Sequence, residues 1–199
     1  MTLDTWLAAS LFALVSSFTP GPNNTMLMAS GVNFGFRRSV RHLLGVQLGF
    51  AFMLLSVGMG LHTVLTLLPN LYDVLRYAGS AYMLWMAWKL ANSHASQMGV
   101  NGAARPMGFS AAAAFQWVNP KAWVMAVTFM STYFSPQPQL PFLVLLVLSF
   151  MLLGGPCTAL WLGFGQAMRR LLHNPRHLRL FNVTMALALV ASLYPMLAV

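Results

Sequence analysis

The stretch FTPGPNNT, Phe18 to Thr25, sets two prolines, a glycine and two asparagines inside an apolar segment that begins at Leu3. Pro20 and Pro22 carry no backbone N–H, so a continuous helix here would leave the carbonyls of Ser16 and Phe18 without their i+4 donors. In hydrocarbon such groups must be met by protein, water or a ligand. The stretch therefore predicts a helix broken at membrane depth, at a place where something polar binds.

The rest of the composition supports a membrane reading. The chain has 199 residues, 58% hydrophobic and only 7% charged, outside the balance of a soluble domain. At about 20 residues per helical crossing it holds roughly six spans and no separate soluble domain. The expectation is an all-α polytopic membrane protein with a single integral domain over 1–199. The net charge of +9 sets eleven Lys and Arg against Asp4 and Asp73 alone. That excess fits basic cytoplasmic loops and anionic lipid headgroups; nucleic-acid binding would need a basic face interleaved with aromatics, and none is visible. The start, MTLDTW, has no basic region and no small-residue cleavage site, so the first segment is expected to stay in the mature protein. Cys157 is the only cysteine, which excludes an intrachain disulfide, a CxxC redox pair and transmembrane thiol transfer.

Span one is expected from Leu3 to the break at Thr19, with an apolar continuation from Met26 to Val32. Arg37, Arg38, Arg41 and His42 form a basic cluster before span two, Leu43 to Leu65, which carries Gly45, Gly49, Gly58 and Gly60 at a density suited to close helix contact. Those glycines permit a homodimer and serve equally within one chain. After a turn at Pro69 and Asn70, span three runs from Leu71 to Leu90, with Asp73 and Arg76 near an interface and Tyr72, Tyr77, Trp85 and Trp88 as anchors. A polar linker at 92–107 divides the chain into a first half, 1–91, and a second, 108–199. Span four, Gly108 to Phe134, is cut at Asn119, Pro120 and Lys121. Span five runs from Leu140 to Met168 with a kink expected at Gly154, Gly155 and Pro156. Span six, from Leu180, follows a last basic cluster at Arg169, Arg170, Arg176 and Arg179. The positive loops place both termini on the outer side, periplasmic in a Gram-negative cell.

Each half thus has three spans with the broken one first, and an odd number of spans inverts the second half. Corresponding broken segments in inverted halves are the sequence pointer to a transporter site. If Thr19 caps a half-helix with Pro20 in its first turn, the N–H groups of Gly21 and Asn23 and the amides of Asn23 and Asn24 meet an electropositive end that favours a carboxylate. Asn119 and Pro120 repeat the cap-plus-proline start. Lys121 adds a full charge that costs about 2.5–3.5 kcal/mol in a span, so a purpose is expected of it. The carbonyls of Ser16, Phe18 and Gln116, freed by prolines, would accept from an ammonium. A zwitterion suits both sets. Proline kinks and a snorkelling lysine are the plainer reading of either break alone.

Other polar residues carry less. Gln47, Gln116 and Gln166 read as interhelical hydrogen bonds, with Gln116 nearest a break. His173 and His177 share a spacing but sit among arginines with no carboxylate, so no metal site is expected. The fifteen methionines are spread through the spans and read as packing. No GxSxG, P-loop or HExxH motif is present, so neither an enzyme nor an ATP-driven pump is expected, and no cofactor is implied. Transport would be passive or coupled to an ion gradient, with protons carried by His, by Lys121 or by the substrate.

The motifs TPGPNN, GFRRSVRHLLGVQLGF, the segment from Tyr77 to Leu90 with its glycine-small-x-tyrosine pattern at Gly79 to Tyr82, and FQWVNPKAW together resemble the LysE/RhtB family of amino-acid efflux permeases. The likeness covers nearly the whole chain. The double asparagine and the GFR sequence are most similar to the cysteine/O-acetylserine exporters, with homoserine and threonine exporters close behind. The resemblance implies a multi-pass bacterial inner-membrane protein, set in the lipid bilayer, that moves small amino acids outward against proton entry. It carries over Pro20, Gly21, Pro22, Asn23, Asn24, Asn119, Pro120 and Lys121 as substrate-binding positions, beside Gln116. An intramembrane aspartate of some basic-amino-acid exporters has no counterpart, which disfavours a cationic substrate. An ion or divalent-cation exporter of the same fold would need intramembrane carboxylates, cysteines or histidines; a non-transporting scaffold would need no paired breaks.

Overall fold

The computed structural model describes residues 2–60, 69–92, 105–134, 140–169, 171–172 and 174–193, with the backbone alone for 69–76. Its elements are α1 (Leu3–Phe18), α2 (Pro22–Phe34), α3 (Phe36–Gly58), α4 (Pro69–Ala91), α5 (Phe109–Phe115), a 3-10 turn (Gln116–Val118), α6 (Pro120–Tyr133), α7 (Leu140–Arg169) and α8 (Pro175–Ala191). All described secondary structure is helical. Two of these helices, α3 and α7, are each long and apolar enough to cross a membrane unaided.

Both expected breaks are present, but the first half-helix starts later than expected. A residue before proline is pushed out of the helical region. Thr19 precedes Pro20 and is extended (φ −64°, ψ 143°); Gly21 precedes Pro22 and is extended again (φ 176°, ψ 178°). Two such restrictions in succession prevent a helix from starting at Pro20. Thr19 closes α1, Gly21 caps α2, and Pro22 occupies its first turn. The second break follows the expected pattern, with Asn119 Oδ1 accepting from the Lys121 N–H at 3.1 Å and Pro120 opening α6.

Three other boundaries also differ. The basic cluster after span one is helix, because a single residue, Gly35 at φ +81°, turns the chain from α2 into α3. That conformation suits glycine, which has no Cβ to clash. Arg37, Arg38 and Arg41 then face outward while Ser39 and His42 point inward on the same helix. Asn174 caps α8 through its Oδ1, drawing Arg176 and Arg179 into the helix. Pro69 begins α4 rather than a turn. His62, His173, Arg170, the end expected for span two and most of the linker lie outside the described residues.

Polarity is arranged inside out relative to a soluble protein. Leu3, Leu7, Leu11, Val15 and Phe18 form an exposed stripe on α1, as do Leu44, Leu48 and Phe52 on α3 and Leu145, Leu148 and Leu152 on α7. Buried positions instead include Asn24, Asn33, His42, Gln116, Asn119 and Asn182. Apolar stripes of this extent mark a surface that faces lipid. Tyr77, Trp85 and Trp88 are exposed on α4, as interfacial anchors would be.

A few helix pairings make up most of the packing. α1 and α2 lie along α7, α5 and α6 lie along α3, α4 pairs with α8, and α3 meets α7. Glycines let backbones touch. A Cβ at Gly165 would sit 2.1 Å from the Met28 carbonyl oxygen, and one at Gly31 would sit 2.2 Å from that of Leu162. Gly45 is equally close to Phe109, and Gly49 to Ala113, so these α3 glycines are spent on α5 within the chain. Between α1, α3, α6 and α7 lies an apolar cluster containing Phe50, Met53, Leu54, Phe129, Leu146 and Phe150. Its rings are continuous: the centroids of Phe50 and Phe150 are 5.2 Å apart, and those of Phe129 and Phe150 are 4.9 Å apart. On its far side α2 is tied to α8 by a buried reciprocal amide pair, Asn33 with Asn182, at 3.0 and 3.3 Å.

Candidate functional site

The site is built where the two breaks meet, and it begins with the carbonyls that the prolines release. Each finds a donor within the protein. Ser16 O accepts from Thr19 Oγ1 at 2.8 Å, Ser17 O from Asn24 Nδ2 at 2.7 Å, and Phe18 O from Trp161 Nε1 at 3.2 Å. Thr19 O accepts from Asn24 Nδ2 at 2.8 Å and from Lys121 Nζ at 2.7 Å. Pro20 O accepts from Lys121 Nζ at 3.2 Å, and Gln116 O from the Asn119 N–H at 3.3 Å. The carbonyls of Ser16, Phe18 and Gln116, expected to await an ammonium, are therefore already in use.

Lys121 is engaged within the protein as well. Its ammonium donates to Thr19 O, to Thr19 Oγ1 at 2.8 Å and to Pro20 O, which uses all its protons. The lysine of the second break thus closes the carboxyl end of α1, where the helix dipole is negative. Its stem fills the space a side chain at Gly21 would need, since a Cβ there would fall 2.5 Å from Lys121 Cδ.

A second bridge joins the breaks. Asn23 Nδ2 donates to Gln116 Oε1 at 2.7 Å, and Gln116 Nε2 returns a bond to Asn23 Oδ1 at 3.1 Å while also reaching Ala112 O at 2.9 Å. Gln116 is fully buried. Of the residues singled out from sequence, Gly21, Asn23, Asn24, Asn119 and Lys121 line one cavity. Pro22, Gln116 and Pro120 stand behind it as supports, and Pro20 enters through its carbonyl.

The cavity is small, about 50 Å³, room for a few water molecules. The amino-terminal ends of α2 and α6 both border it. The N–H groups of Asn23 and Asn24, in the first turn of α2, meet no acceptor among the described residues. Such a turn is an electropositive donor end. The opposite wall is apolar, from Val46, Phe50, Met125, Phe150 and Met151. No Asp or Glu lines the cavity.

Sequence reasoning missed a third contributor. Gln47 on α3 and Gly154, Gly155 and Thr158 on α7 complete the lining. Gln47 Nε2 donates to Gly155 O at 2.8 Å and to Thr158 Oγ1 at 3.3 Å, so it is the interhelical bond expected, yet it also faces the cavity. The signal was present in the glycine pair, read only as a kink. α7 runs through Pro156 as one helix, and Gly154 and Gly155 make room for Ser17 and Gln47 respectively.

Comparison with known proteins agrees with this architecture. A family model described as LysE type translocator matches residues 14–192. The chain is 35% identical over 181 residues to the cysteine/O-acetylserine efflux proteins of Escherichia coli (strain K12) and Shigella sonnei (strain Ss046), covering 90% of each chain. No solved structure matches.

Proposed function

The chain belongs to the LysE family of translocators, polytopic membrane transporters and not enzymes, and on that premise we propose that it is a secondary exporter of small neutral amino acids or their derivatives, of the cysteine and O-acetylserine type. One observation carries the substrate class. Two helix amino termini border a single cavity whose lining contains unpaired backbone donors and neutral amide oxygens, and no carboxylate. Donor ends of this kind favour an anionic group, and neutral oxygens can receive an ammonium without balancing a second positive charge. A zwitterion with a short side chain against Phe50 and Phe150 meets these conditions. The homologous efflux proteins point the same way.

In this reading the chain has six spans in two inverted halves, with α1 and α2 as the first span and α5 and α6 as the fourth. The packing supports it, because exchanging the halves exchanges the pairing of the first span with α7 for that of the fourth with α3, and returns the α4–α8 pair to itself. The exposed Arg37, Arg38, Arg41, Arg169, Arg176 and Arg179 belong on the cytoplasmic face of a bacterial inner membrane, with both termini periplasmic. Substrate would enter the cavity from that side, seat its carboxylate on the Asn23 and Asn24 N–H groups, and leave outward when the apolar cluster of Phe50, Phe129 and Phe150 parts. Protons are the proposed coupling ion.

The test is uptake of a labelled amino-acid panel into inverted membrane vesicles, with and without an imposed proton gradient. Accumulation of small neutral amino acids that collapses with the gradient is the expected result. Vesicles that move none of the panel above the level of protein-free controls would remove the assignment.

A further inference from the structure

We infer that Gln47 is the acceptor for the substrate's ammonium group, and that its being a neutral amide sets the preference for zwitterions over cations. The inference rests on the amino-acid export proposed above. An ammonium entering a site of low dielectric must find acceptors, because leaving its N–H groups unmet costs more than the cavity's apolar contacts return. Most polar atoms around the cavity are already engaged. Asn23 Oδ1 and Gln116 Oε1 accept from one another's amides, and Asn119 Oδ1 accepts from the Lys121 N–H. Asn24 Oδ1 also receives no donor among the described residues, but its amide is held by Ser17 O and Thr19 O and the residue is only 4% exposed.

Gln47 differs. Its amide group lies against Gly155 O at 2.8 Å, a contact only the NH2 end can make, since two carbonyl oxygens repel. Thr158 Oγ1, at 3.3 Å, holds the same end. Oε1 is thereby fixed, and no group among the described residues donates to it. It sits over Gly155, where a Cβ would come within 2.6 Å, so the missing side chain of that glycine provides its space. Gln47 and Gly155 both line the cavity that holds the free Asn23 and Asn24 N–H groups. A zwitterion can place its carboxylate on one and its ammonium on the other. A cationic amino acid, with a second ammonium, finds no charge in the lining to offset that second positive group.

The experiment uses purified protein in liposomes and three labelled probes. These are O-acetylserine, its isomer N-acetylserine, which lacks the ammonium, and lysine. The wild type is expected to move O-acetylserine at least about tenfold faster than N-acetylserine, the scale set by one hydrogen bond to a charged group. Gln47→Leu should reduce O-acetylserine transport by about tenfold and bring the two isomers to similar rates. Gln47→Glu, which gives up the NH2 bond to Gly155 O and puts a carboxylate at the cavity at nearly constant size, should raise lysine relative to O-acetylserine by about tenfold, and it carries the test where the leucine variant does not insert. If the wild type moves none of the probes, the export reading falls and this inference with it. If the wild type moves O-acetylserine and both variants keep its selectivity, or if it moves the two isomers equally, the role of Gln47 is refuted while export stands.

Discussion

Replacing Lys121 by methionine keeps the length and apolar stem of the side chain and removes its ammonium. The ammonium makes three bonds, at 2.7, 2.8 and 3.2 Å, to Thr19 O, Thr19 Oγ1 and Pro20 O. Interhelical bonds within membranes are worth about 0.6–1.7 kcal/mol each, so three forfeit about 2–5 kcal/mol. Against that loss stands the cost of holding a lysine in the span, about 2.5–3.5 kcal/mol, which methionine does not incur. The two terms nearly cancel. Lys121→Met should therefore fold to within about 2 kcal/mol of wild type, since Thr19 O retains Asn24 as a donor. The segment Thr19 to Gly21, however, loses its tie to α6, and with it the registration of the α2 amino terminus against the second break. Export should fall by at least about tenfold, because misplacing binding groups by about 1 Å is costly for any preorganised site. Thermal unfolding in detergent, followed by tryptophan fluorescence, measures the first quantity, and vesicle uptake measures the second. A variant of unchanged stability that exports at the wild-type rate would refute the reasoning, since Lys121 would then be a snorkelling cation and nothing more.

Two further outcomes concern the scaffold. In Gly165→Ala the new Cβ would lie 2.1 Å from Met28 O, so α2 and α7 must separate by about 1 Å, at about 1–3 kcal/mol for overpacking; a lowered unfolding temperature with reduced export checks it. Asn33→Leu breaks the buried pair with Asn182 and should destabilise by about 1–3 kcal/mol, whereas adding Asn182→Leu should restore part of that loss, a non-additivity readable from a double-mutant cycle in thermal unfolding.

The two breaks were legible because the rule that makes them is local: a proline lacks its N–H whatever surrounds it. Their exact register was legible in principle as well, from the pre-proline restriction on Thr19 and Gly21, though cap preference alone favours Thr19 over Gly21. The exposed basic residues were misread as loop because charge ordinarily signals a connection, and only the fold reveals that Gly35 alone completes the turn. What sequence could not supply was pairing at long range. The bond from Lys121 to Thr19 joins residues 102 apart, and that from Gln47 to Gly155 joins residues 108 apart. Nothing within either local stretch marks its partner. Hence Lys121, expected as a charge for a substrate's carboxylate, also proves to hold the protein's own carbonyls, and Gln47, expected as a strut, also borders the cavity.

The mutual closure of the breaks has a consequence for biosynthesis. Pro20 O is met by a lysine that lies 101 residues later in the chain, and Asn23 by a glutamine 93 residues later. At translation rates of about 5–20 residues per second, the first span spends roughly 5–20 s in the bilayer or its insertion machinery before its partner is even synthesised. During that interval Ser16 O, Ser17 O and Thr19 O can be met from within the first span, but Phe18 O, Pro20 O and the Asn23 amide must be hydrated or sheltered by something other than this protein. The first break is then fully closed only after the segment carrying Gln116 and Lys121 has joined it, so its closure is a late step of assembly.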